Sequence, residues 1–209
     1  REVMQDSELL RKLNQVLTKR FLRFLNEQSK KEPETYLELW KEFGILIKGG
    51  AATDFTYKDD LAKLLRFEST AAEDGKLTGL EAYIDRMAAD QKDILFLYGK
   101  NRKAIESGPY LEALQARGYE VLLLTEPVDE YVMQSLREFK EKKIISADSD
   151  ELKLDKLDQE PTGESLDGKA VKKLSKWIKQ SLEDRVSEVE TGERLINSPV
   201  CVVGEDGMG

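Results

Sequence analysis

Three acids crowd the stretch TEPVDEY, where Glu126, Asp129 and Glu130 follow a run, Tyr119 to Leu124, with the length and apolarity of a buried strand. Carboxylates at the carboxyl end of such a strand stand where α/β enzymes keep their reacting groups. Three of them can converge on magnesium or serve as a general acid–base set. The same residues have a plainer use. Pro127 suits the first position of a helix, and Asp129 and Glu130 then fall in its first turn, where the helix dipole favours negative charge by roughly 0.3–1 kcal/mol. No partner base or nucleophile accompanies the acids, which favours the helix-starting reading. A second candidate is GKNR, Gly99 to Arg102, at the turn where a phosphate-binding loop would sit. It has one glycine and no Ser or Thr after Lys100, so a solvated helix cap is the better reading. Cys201, among valines in PVCVV, reads as a small buried hydrophobe rather than a nucleophile. Tyr36, Trp40 and Phe43 recur at helical spacing, the mark of core rather than of a ligand-binding stripe.

The composition narrows the chemistry further. Among 209 residues there is no histidine, which removes Ser-His and Cys-His nucleophile pairs and most zinc sites. The single cysteine leaves no internal disulfide and suits a reducing compartment. A net charge of -8 argues against nucleic acid and against anionic membranes as partners, since both draw their binding from a basic footprint. No apolar run approaches the roughly 20 residues that span a bilayer. The chain begins at Arg1 without a methionine and ends in GEDGMG directly after a strand-like run, and it reads as a piece of a longer protein.

The elements that must position these residues follow from periodicity. From Gln5 to Gln28, Leu9, Leu10, Leu13, Val16, Leu17, Phe21, Phe24 and Leu25 recur at steps of three and four, predicting a long amphipathic helix. A second helix opens at Pro33, places Tyr36, Leu37, Trp40, Phe43 and Ile47 on one face, and is expected to end at Gly49-Gly50. A third spans Tyr57 to Leu65. Three helices with one apolar face each predict a small bundle.

The period then changes. Thr78 and Glu81 have capping-box spacing ahead of a helix through Met87. ILFLYG, YEVLLLT and KKIISA read as three strands, alternating with helices from Asn101, from Pro109 to Arg117 with Gly118 as a left-handed cap, and from Val128 to Phe139. That alternation predicts parallel β-α-β units. An acidic stretch with Pro161 and Gly163 reads as a linker. Beyond it come an amphipathic helix carrying Val171, Leu174, Trp177, Ile178 and Leu182, and two short strands near Val186 to Glu190 and Val200 to Val203.

In this order and at these distances, the segments REVMQDSELL, LAKLLRFEST, GLEAYIDRMAADQKDILFLYG, EVLLLTEPVDEYVMQSLREF and RLINSP resemble the heat-shock protein 90 chaperones, closer to the bacterial high-temperature protein G type than to the eukaryotic cytosolic one. The resemblance spans Arg1 to about Val203. It implies a helical connector of the middle domain over residues 1–70, a small three-layer α/β unit with a parallel sheet over 71–147, an acidic linker over 148–165, and the start of an α+β C-terminal domain over 166–209. It also implies that ATP and its magnesium are held by an N-terminal domain. Arg1, in an arginine-glutamate pair, matches the family's middle-domain arginine that reaches the γ-phosphate, and Gln5 matches a glutamine of the same catalytic loop. A guanidinium offers planar donors to charge developing on a transferred phosphoryl group.

Under this resemblance the chain alone is no enzyme and holds neither cofactor nor metal. The parent is expected to be a cytoplasmic homodimeric ATPase that binds non-native client proteins and works with co-chaperones. EPVDEY becomes a structural signature of the small α/β unit, with a surface role toward clients or co-chaperones. Two alternatives stay open: a metal-dependent α/β enzyme using Glu126, Asp129 and Glu130 on a phosphorylated substrate, and a non-catalytic adaptor module.

Overall fold

The computed structural model describes residues 8–154, 166–191, 195–196 and 198–203. The first helix, α1 (Glu8–Lys31), is built mostly of strong helix formers, with Glu8 in its first turn and Lys30 and Lys31 in its last, each matching the helix dipole. Pro33 opens α2 (Pro33–Thr53), which runs through Gly49 and Gly50 instead of ending there. Gly50 serves packing. A Cβ at Gly50 would lie 3.1 Å from Leu61 Cδ1, so its absence lets the next helix approach. The stop comes at Asp54, whose Oδ1 accepts hydrogen bonds from the amides of Thr56 (2.8 Å) and Tyr57 (3.2 Å) and turns the chain into α3 (Lys58–Ala62).

After these three helices the chain lays down β1 (Glu68–Ser69), α4 (Leu80–Arg86), β2 (Ile94–Tyr98) and α5 (Arg102–Glu106). A 3-10 turn at Pro109–Leu111 leads into α6 (Glu112–Ala116), then β3 (Leu122–Leu124), α7 (Pro127–Leu136), β4 (Glu138–Phe139), β5 (Lys142–Ser146) and α8 (Gly168–Leu182). The sheet order is β1-β3-β2-β5-β4. Its three central strands are parallel, with Phe96 opposite Leu122 and Ile94 opposite Ile144. Both edges are antiparallel, β1 on β3 and β4 on β5. Gly118 has φ +69, as the left-handed cap of α6 requires.

Alternation along the strands divides the core between two faces. Ile94, Phe96, Leu122, Leu124 and Ile144 pack with α1, α2, α3, α4 and α7, while Leu95, Leu97, Leu123 and Ile145 pack with Ile105, Leu111 and Leu114. A sheet buried on both faces must be apolar at every position, which is why ILFL and VLLL read as unbroken runs. The molecule is the expected three-layer α/β arrangement, with α2 and α7 packed together as one outer layer.

Other expectations shift. Thr78 forms no capping box with Glu81: Gly79 takes the N-cap, Thr78 pairs with Phe67 in a β-bridge, and Glu81 instead pairs with Lys30 (2.7 Å) and Lys140 (2.8 Å). The tertiary pull of two lysines outweighs the local cap. Val186 to Glu190 and Val200 to Val203 form no strand, because an extended segment becomes one only by pairing and no described strand pairs with them. The helix expected after the linker is α8, capped by Asp167, whose Oδ1 accepts from the Ala170 amide at 2.6 Å.

Candidate functional site at the carboxyl ends of the strands

The chain leaves β3 through Thr125 and makes Glu126 the N-cap of α7, with Pro127 at the first helical position. Glu126 and Asp129 form a reciprocal capping box: the Glu126 side chain accepts from the Asp129 amide, and Asp129 Oδ2 accepts from the Glu126 amide at 3.3 Å. The acids do start the helix. They also do something the sequence did not disclose, because Asp129 is buried and its Oδ1 lies 2.6 Å from Lys48 Nζ of α2. The same ammonium lies 2.8 Å from Glu126 Oε2. It sits 5.6 Å from the centre of the Trp40 ring and 5.9 Å from that of Phe67, so a buried cation is surrounded by two carboxylates and two aromatic rings.

Burial pushes the Asp129 carboxyl above its ordinary range, the hydrogen bond and charge of Lys48 pull it back, and Glu126 adds a smaller upward push. A buried acid with a raised pKa can serve as a general base. Here its partner is an ammonium that bridges both carboxylates, at the place a metal ion would need. Among the described residues no group of three or more acids or cysteines is placed to hold a metal. Glu130, half-buried, stands outside this cluster. Two further bonds tie the same helices together: Ser135 Oγ donates to the Ala52 carbonyl at 2.6 Å, and Lys58 Nζ donates to the Ser135 carbonyl at the end of α7.

GKNR is built for packing as well. A Cβ at Gly99 would lie 2.6 Å from Ile105 Cγ1, so glycine is needed for α5 to fold back onto the strand end. Asn101 caps α5, its Oδ1 accepting from the Ala104 amide at 2.9 Å. Arg102 pairs with Glu68 at 3.0 Å and Glu106 at 2.7 Å and donates to the Ala72 carbonyl at 2.7 Å, fastening β1 to α5.

Of the aromatic trio, Tyr36 and Trp40 are core and Phe43 is exposed. Tyr36 donates to the Leu64 carbonyl at 2.6 Å, and burial, partly offset by Arg66 stacked on its ring, pushes its pKa up to about 12. Cys201 is half-buried rather than core. Arg1 and Gln5 lie outside the described residues, just ahead of α1 in the sequence.

Lys48 is the residue that sequence reasoning missed. A signal was present: Trp40, Gly44, Ile47 and Ala51 define the buried face of α2, and Lys48, one helical turn on from Gly44, shares it. A lone lysine on an apolar face implies an acid opposite.

Comparison with known proteins decides the family. The family model described as Hsp90 protein matches residues 1–208. The chain belongs to the HSP90 family. It is 42% identical over 208 residues to "Chaperone protein HtpG" of Desulfitobacterium hafniense, covering 99% of this chain and 34% of that protein. It is 38% identical to the protein of the same description from Desulfotalea psychrophila, covering 100% of this chain and 34% of the relative. It is 39% identical to "Heat shock protein 75 kDa, mitochondrial" of Rattus norvegicus, covering 97% of this chain and 30% of the relative. This HSP90-family chain thus spans about a third of the length of the curated relatives it matches. No helix among its described residues is long and apolar enough to cross a membrane.

Proposed function

We propose that this chain is the later middle and early C-terminal part of an ATP-dependent, cytoplasmic molecular chaperone that acts as a homodimer on non-native client proteins. The domain limits are those expected above: connector over 1–70, α/β unit over 71–147, linker over 148–165 and partial C-terminal domain from 166. The family match across residues 1–208 carries this reading. The strand ends support it. The positions where an α/β enzyme would hold phosphate or metal are occupied by the Asn101 cap and the Lys48 bridge.

The nucleotide and its magnesium then belong to another domain. Arg1 supplies a guanidinium to the γ-phosphate across the domain boundary, and Gln5 helps to order the same loop. An arginine that completes the site only when two domains meet makes hydrolysis depend on their closure.

The test has two arms. The chain alone should not turn over ATP, and turnover at a rate indifferent to Arg1→Ala would overturn the reading. Joined to the ATPase domain of a relative, Arg1→Ala should lower turnover about 10³-fold, measured as phosphate release under saturating ATP.

A further inference from the structure

The α/β unit and the segment near the end of the chain meet at one carboxylate. Glu112, the first residue of α6, accepts hydrogen bonds through Oε2 from the amides of Ile196 (2.8 Å) and Ser198 (3.1 Å), and through Oε1 from the Ser198 hydroxyl. Beside it, Tyr110 Oη donates to the Val202 carbonyl at 2.7 Å. The donors lie 84 and 86 residues beyond Glu112 in sequence, so this is a tertiary joint and not local turn chemistry.

Its composition is unusual for a joint within a fold. Ile196, Val200, Val202 and Val203 all expose a large part of their surface, and of the described apolar residues there only Leu195 and Cys201 are half-buried, so apolar burial contributes less than the polar contacts to holding the described part of the segment. What remains is polar. Both amides converge on one oxygen, Glu112 Oε2, while Oε1 takes the Ser198 hydroxyl, so a single carboxylate satisfies three donors of the segment. A charge-assisted contact of this kind is stronger than a neutral one, yet it can open without exposing a hydrophobic face. Half-buried Tyr110 adds the fourth bond. Burial raises its pKa, with Asp148 and Cys201 adding to the shift and the bond to Val202 opposing it, so the hydroxyl stays protonated and able to donate.

We propose that Glu112 and Tyr110 form a reversible latch by which α6 and the 3-10 turn before it hold residues 195–196 and 198–203. The latch ties the region that includes α8 to the α/β layer and can release it without disturbing the two apolar clusters on the faces of the sheet. It does not depend on the ATP reading: a chain that never meets nucleotide would still carry it.

The experiment is residue-resolved amide hydrogen exchange on the whole 209-residue chain. The amides of Ile196 and Ser198 should exchange about tenfold or more slowly compared with a free peptide of the same sequence. Glu112→Ala should bring both to the peptide rate. Tyr110→Phe should speed the flanking segment to a lesser degree, and the amides of Leu95 and Leu123 should keep their protection in both variants. If Glu112→Ala also exposes those sheet amides, Glu112→Gln, which keeps the shape and loses the charge, is judged by the same comparison. The latch is overturned if Ile196 and Ser198 already exchange at the peptide rate in the unaltered chain. It is equally overturned if removing the Glu112 charge leaves their protection unchanged.

Discussion

Lys48 sits in a place where a charge is costly, and the way α2 meets α7 follows from how that cost is offset. Its ammonium is buried with Asp129 and reaches Glu126, whose side chain is 59% exposed. The exposed partner is worth little, typically under about 1 kcal/mol, whereas the buried one is worth more, because either charge alone would be stranded. Lys48→Ala is therefore expected to cost about 3–5 kcal/mol in urea unfolding. The paired change Lys48→Met with Asp129→Leu should recover most of that loss, since two apolar side chains need no partner. A single substitution costing under about 1 kcal/mol would mean that water reaches Asp129.

Two acids in this molecule respond to pH in opposite senses. Burial alone would raise the Glu81 pKa, but hydrogen bonds from Lys140 and Lys30 outweigh it and leave the carboxyl below its ordinary range. The stability it contributes is present above the unfolded-state pKa, near 4.3, and is lost as pH falls through the lower folded value. Asp129, held above its ordinary range, does the reverse: its contribution is greatest at low pH and declines as pH rises through its folded value. Glu81→Gln should cost about 0.5–1 kcal/mol at pH 7, and the difference from the unaltered chain should shrink as pH falls below the ordinary carboxylate range. A difference that stayed constant down to pH 3 would assign the loss to packing instead.

The glycines of α2 separate two uses of one residue type. A Cβ at Gly44 would lie 3.0 Å from two atoms of the Trp40 ring, whereas one at Gly49 would meet nothing within 4 Å. Alanine in a helix interior is worth about 0.8–1 kcal/mol over glycine, and pressing a methyl group into a packed ring costs about 1–3 kcal/mol. Gly49→Ala should therefore raise the thermal midpoint and Gly44→Ala should lower it. The same helix shows what the sequence could and could not convey. The three central strands were legible because burial on both faces leaves unbroken apolar runs. The edge strands β1 and β4 have two residues each, too few for any period. The β4–β5 turn holds Lys140 and Glu141 at φ +47 and +64, a conformation that sequence patterns associate with Asn-Gly rather than Lys-Glu. Gly49-Gly50 read as a helix stop because a glycine used for close approach looks, in one dimension, like a glycine used for termination.

Across the molecule, the candidate site divides in the same way. The TEPVDEY acids could be placed at a helix start from their spacing, but the lysine that engages two of them lies 78 residues from Glu126, beyond the reach of local pattern. Arg1 and Gln5 came from resemblance alone. The periodicity of α1 told only part of its story, since it marks an apolar face without saying what covers it. Leu22 and Leu25 are buried, while Leu9, Leu13, Leu17, Phe21 and Phe24 on the same helix are each at least half exposed. A contiguous apolar surface of that length binds hydrophobic probes and promotes self-association. The two sets should separate cleanly by experiment. Leu22→Ala is expected to cost about 2–5 kcal/mol, because it empties a packed site. Leu17→Lys and Phe21→Lys should each change stability by no more than about 0.5 kcal/mol while reducing the fluorescence of a bound hydrophobic dye. A loss from Leu17→Lys as large as that from Leu22→Ala would show that the outer face of α1 is packed in solution, and the dye signal would then have to come from elsewhere on the surface.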